Sequence, residues 1–125
     1  MSAIEQILDV ARWAPSADNT QPWRFEITGQ NHLIIHGFDT SSHCVYDLDG
    51  HLSHIALGAL LESIALAASG HGLQATFKRR PDTPPAQCIF DVYFVPDPSV
   101  ASAPLIPYFP LRSVQRRSLD TRPLS

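Results

Sequence analysis

The segment from His51 to Ser69 constrains the fold more than any other stretch of the chain. Leu52, Ile55, Ala56, Leu57, Ala59, Leu60, Leu61, Ile64, Ala65, Leu66, Ala67 and Ala68 leave it little polar surface. A helix that is apolar nearly all round must be covered on several sides, in a core or in a subunit interface. Asp49 or Ser53 can cap its start, and Gly70 or Gly72 can end it. Around Gly58 and Ala59 the small side chains would let a second helix come close. The remaining elements must therefore wrap this one. No apolar run is both long enough and free enough of polar residues to span a bilayer.

The covering elements are legible on both sides of it. Ser2 and Glu5 have the spacing of a capping box, and Ile4, Ile7, Leu8 and Ala11 follow on one helical face. This predicts an amphipathic helix over residues 3–13, stopped by Pro15, which pushes the residue before it out of the α region. Trp23 to Ile27 and Leu33 to His36 read as paired strands, with turn residues Thr28, Gly29, Gln30 and Asn31 between them. A polar loop covers 37–50. After the apolar helix, Leu73 to Lys78 and Cys88 to Val95 read as two further strands joined by a Pro-rich turn. Nine of the eleven prolines lie from Pro81 onward, which predicts an extended, loop-rich C-terminal third with a linker opening at Pro96 and Pro98.

A length of 125 residues suits one domain with one core. The formal net charge of -3 argues against a general nucleic-acid binder. Charge is uneven, however: residues 1–77 hold two Arg against eight acidic groups, and residues 78–125 hold seven Lys and Arg against four. An anion site would draw on the C-terminal stretch; a solvated basic face is the plainer alternative. Cys44 and Cys88 are too few and too far apart for a disulfide framework and suit reduced thiols in a cytoplasmic protein. No signal-peptide pattern opens the chain.

Two constellations can carry chemistry. The first is the loop between the first helix and the first strand, fixed by Pro15 and Pro22 and carrying Ser16, Asn19, Thr20 and Gln21. By composition it is a helix stop followed by a turn. The second is Gln115-Arg116-Arg117-Ser118-Leu119-Asp120-Thr121-Arg122, where adjacent guanidiniums and a hydroxyl suit a phosphate monoester, or form a basic surface segment near a chain end. His36, His43, Cys44, His51 and His54 lie close in sequence but lack the tight paired spacings of zinc sites, so no metal is expected. Gly70-His71-Gly72 lacks the rest of a dinucleotide fingerprint, and no nucleophile stands in a recognisable setting.

The residue order of the first loop is more specific than its composition. Ala14-Pro15-Ser16-Ala17-Asp18-Asn19-Thr20-Gln21-Pro22-Trp23, leading into a strand, resembles the signature Ala-Pro-Ser-x-x-Asn-x-Gln-Pro-Trp of the nitroreductase family of flavoproteins. Arg12 and Trp13 before it, and Arg24 and Phe25 after it, are similar to the family's usual neighbours. The apolar helix resembles the family's long central helix, and Arg116, Arg117, Ser118 and Arg122 resemble its flavin-phosphate grip. That grip departs from the pattern in two ways. In the family it usually precedes the first helix, and here Ser118 stands farther from the next basic residue.

The resemblance implies an α+β fold with a central mixed or antiparallel sheet and a long buried helix. It also implies an intertwined homodimer with FMN at the subunit interface. Pro15, Ser16, Asn19 and Gln21 would face the flavin ring, and Arg116, Arg117, Ser118 and Arg122 its phosphate. The implied reaction moves two electrons from NAD(P)H through the flavin to a nitroaromatic, quinone or similar acceptor, with no catalytic side chain identified. Family members are longer, so the chain is expected to be a fragment or a shortened paralogue. Such a chain would leave apolar surface of the 51–69 helix for a partner to cover. The alternatives are a non-catalytic flavin-binding or storage protein, and a degenerate dimerisation module of the same fold.

Overall fold

A computed structural model describes residues 2–16, 20–38, 51–83 and 87–112. Helix α1 spans Ala3–Ala11 and strands β1 and β2 span Trp23–Ile27 and His32–Phe38. Helix α2 spans His51–Ser69, strands β3 and β4 span Leu73–Arg79 and Gln87–Pro96, and a short 3-10 helix covers Ile106–Leu111. The four strands form one antiparallel sheet in the order β1-β2-β4-β3. Because β2 and β3 each run antiparallel to β4, they run parallel to one another with β4 between them. The α2 crossover thus links two hairpins in a split β-α-β arrangement.

Local chemistry explains the element ends. Ser2 Oγ accepts from the Glu5 N–H and the Glu5 carboxylate accepts from the Ser2 N–H, both at 3.2 Å, so the expected capping box forms. α1 ends two residues earlier than the periodicity predicts. The N–H groups of Trp13 and Ala14 bond back three residues, to the carbonyls of Val10 and Ala11, tightening the chain out of the α geometry ahead of Pro15. At the other end of α2, the N–H groups of Gly70, His71 and Gly72 make the same tight bonds to Ala67, Ala68 and Ser69. Gly72 then takes φ +68°, a conformation that only glycine adopts without cost.

The core lies between one face of the sheet and the two helices. α1 contributes Ile4, Ile7, Leu8 and Ala11; α2 contributes Ala56, Leu57, Leu60, Ile64, Ala67 and Ala68. The sheet contributes Trp23, Leu33, Ile35, Cys88, Val92 and Phe94. α2 nevertheless keeps one open strip, formed by His54, Ile55, Gly58 and Glu62. The expectation that its apolar surface would be the main exposed patch therefore needs amending. Among the described side chains of α2, Ile55 is the exposed large apolar one, whereas Leu105, Tyr108 and Leu111 stand exposed on the C-terminal segment. That segment is also more regular than a linker: Ser69 Oγ accepts from the Ala103 N–H at 2.9 Å, and the 3-10 helix follows.

α2 packs tightly on the sheet over Gly37. A Cβ placed there would lie 2.6 Å from Leu57 Cδ1 and 3.0 Å from the Cys88 carbonyl oxygen. Gly37→Ala should therefore cost about 1–3 kcal/mol by overpacking. In urea unfolding, that cost should shrink clearly when Leu57→Ala is already present; equal costs in both backgrounds would show that α2 does not press on this strand.

Candidate functional site

The loop joining α1 to β1 sits on a rigid base. Pro22 and Trp23 are buried, and the Phe38 N–H donates to the Pro22 carbonyl at 3.1 Å, extending the β1–β2 ladder to the loop's end. Across the loop, Ser16 Oγ accepts from the Gln21 N–H at 3.0 Å. Gln21 holds φ +48°, a left-handed conformation unusual for a residue with a side chain, and its carbonyl accepts from the Trp23 N–H at 2.7 Å. Of the expected ring-facing residues, Pro15 and Gln21 are exposed and Ser16 is half-buried. Ser16 thus has a structural duty that its sequence context did not reveal: it staples the loop. Asn19 lies outside the described residues.

The C-terminal segment comes back to this loop. An Arg112 guanidinium nitrogen donates to the Trp13 carbonyl at 2.8 Å, joining residues 99 apart in sequence. Beside that junction, Arg12 lies over the Trp13 ring at 5.0 Å from its centroid. A cleft of about 440 Å³ opens nearby, walled by Val10 of α1, Ala67 and Gly70 at the end of α2, and Ala103, Pro104 and Ile106 of the returning segment. Arg116, Arg117, Ser118 and Arg122 lie outside the described residues.

Sequence reading missed a polar network on the sheet face opposite the helices. His32 Nε2 donates to Asp91 Oδ1 at 2.8 Å, and Arg80 grips both Asp91 oxygens at 2.9 and 3.0 Å. On the other side of the ring, Nδ1 is hydrogen-bonded to the Thr28 hydroxyl. The His32 ring also stacks on Tyr93, with centroids 4.7 Å apart. The Arg80 hydrogen bond, then that of His32 and the two positive charges, hold the Asp91 carboxyl down to about 2, against an opposing push from burial. Alternation could have placed these residues on one face, but their partnership depends on strand order. His36 donates to Glu26 at 2.8 Å on the same face. Among the described residues no three His, Cys, Asp or Glu side chains converge as metal ligands, and no helix is long and apolar enough to cross a membrane.

Comparison with known proteins places this architecture. The family described as "Putative TM nitroreductase" matches residues 2–68, more than half of the chain and including the whole 14–23 loop. The chain belongs to this nitroreductase family. A solved nitroreductase family protein from Clostridium difficile 630 shares the fold, with a TM-score of 0.58 and 21% identity over 94% of this chain and 86% of that one. No functionally curated protein matches. Membership supports a flavin-dependent oxidoreductase and agrees with the α+β architecture expected from the loop motif.

The network sets a pH dependence. A carboxyl whose folded value lies below its ordinary 3.8 adds stability that is fully present above that value and lost as pH falls through about 2. Asp91→Asn should lower the melting temperature at neutral pH and flatten its fall between pH 4 and pH 2. An unchanged acid limb in thermal melts would show that Asp91 is not held by these partners.

Proposed function

We propose that this chain is an FMN-dependent oxidoreductase. It would take two electrons from NADH or NADPH and pass them to a nitroaromatic, quinone or similar small acceptor. We further take residues 1–125 as one nitroreductase-like domain that works as a homodimer. The observation that carries the reading is the family's loop sequence, held at the mouth between α1 and β1 by the Ser16–Gln21 bond.

The loop's chemistry fits a flavin ring. The pyrimidine edge of a flavin presents several acceptors and one N–H donor. Ser16 already accepts from Gln21, so its hydroxyl proton remains to be donated. The Asn19 amide offers both a donor and an acceptor. Pro15 and Pro22 limit loop motion, so these groups would be oriented before binding. When bound, FMN supplies the hydride chemistry, and the protein supplies orientation and electrostatics.

The phosphate grip is supported by connectivity. Arg112 is tied to Trp13, at the edge of the loop. Arg116 follows Arg112 by only four residues of sequence. Arg116, Arg117, Ser118 and Arg122 would bind the phosphate oxygens, the guanidiniums as bidentate forks. Homodimer formation is supported by Leu105, Tyr108 and Leu111, three large apolar side chains that stand exposed on one short segment.

Purified protein should be yellow and release FMN on denaturation, and anaerobic NADH or NADPH should bleach it. Protein that binds FMN but is not bleached by either donor would be a flavin store rather than an enzyme. Failure to bind added FMN would overturn the flavin reading altogether. Replacing Arg116 and Arg117 together by Gln should weaken FMN binding roughly a hundredfold, about 3 kcal/mol. Unchanged affinity would remove both from the site. Light scattering should give twice the chain mass.

A further inference from the structure

The outer face of the sheet holds a second cleft, of about 400 Å³, lined by Arg24, His36, Gly37, Phe38, Gln87 and Ile89. It lies on the face away from α2, where Arg24 stands beside His36, His36 beside Ile89, and Phe38 beside Gln87 in register. We propose that this cleft binds a small aromatic carboxylate, its charge on Arg24 and its ring against Phe38 and Ile89.

Charge distribution selects the sign of the ligand. Asp91 on this face is already satisfied by Arg80 and His32, and Glu26 accepts from His36. Arg24 is different. Among the described residues it has no carboxylate partner, and its guanidinium lies over the Phe38 ring, 5.9 Å from the centroid. A guanidinium positioned in this way keeps its N–H fork available for a carboxylate. Gln87 adds an amide donor on the neighbouring strand, at the residue paired with Phe38.

Shape and polarity select the rest of the ligand. Phe38 and Ile89 give the cleft apolar walls, and its volume falls in the range of small-molecule sites. A ring laid on these walls would be desolvated while its carboxylate stays at the charged rim. The site draws on none of the loop groups assigned to flavin, so it is tested without flavin and stands or falls independently of the proposed redox function.

Phenylacetate is the probe, titrated into the full-length, isotopically labelled chain and followed by amide shifts. Saturable shifts should centre on Arg24, His36, Gly37 and Gln87, with Kd about 1 mM, as expected for a ligand this small. Acetate, which lacks the ring, and phenylacetamide, which lacks the charge, should each bind roughly tenfold more weakly. Arg24→Gln should weaken phenylacetate by a similar factor, and Arg24→Lys less, since it keeps the charge but loses the fork. Arg24 is exposed, so both variants should melt near the parent temperature. Absence of saturation, shifts centred elsewhere, acetate binding as tightly as phenylacetate, or unchanged affinity in a folded Arg24→Gln protein would each overturn the proposal.

Discussion

The packing of α2 across the sheet is the constraint on which the rest of the structure depends. Leu57, Leu60 and Ile64 are buried against a face made by Leu33, Ile35, Val92 and Phe94, and α1 closes the other side with Ile4, Ile7 and Leu8. The close approach at Gly37 sets how near the helix can lie. With α2 fixed, its C-terminal turn fixes where the returning segment docks, through Ser69 and Ala103. That segment carries Arg112 to the Trp13 carbonyl and so to the edge of the 14–22 loop. The loop's surroundings are therefore a consequence of core packing.

The two faces of the sheet divide the work. The inner face is apolar and anchors the helices. The outer face carries polar side chains largely paired across strands: His32 and Arg80 on Asp91, and His36 on Glu26. Such pairs lock strand register, because a one-residue slip would turn each partner to the opposite face. Arg24 stands apart from this pairing among the described residues, with Phe38 as its neighbour.

Local signals carried most of the element boundaries. The Ser2–Glu5 capping box, the β1 strand from Trp23 to Ile27 and the α2 helix from His51 to Ser69 all follow from short-range chemistry visible in the chain. The loop motif likewise carried the family. Features that depend on chain crossing did not show. Nothing in the neighbourhood of His32 points to Asp91, 59 residues away, because their meeting requires β4 to pair with β2 and not only with β3. The turn of 3-10 helix was hidden for a different reason: Pro104, Pro107 and Pro110 suggest irregular chain, yet Pro107 stands in the first turn, where its missing N–H costs nothing, and Pro110 is carried inside the short helix. Within the loop, residue order suggested that Ser16 faces a ligand, but its bond to the Gln21 N–H depends on a backbone turn that no pattern encodes.

In the proposed function, the 14–23 loop is a flavin-facing element on a rigid base. Amide hydrogen exchange of the full chain, with and without saturating FMN, tests it most directly. Added protection is expected in peptides covering residues 14–23, with the β1–β2 hairpin beyond them unchanged. Protection confined to other parts of the chain, with this loop exchanging at its free rate, would contradict it.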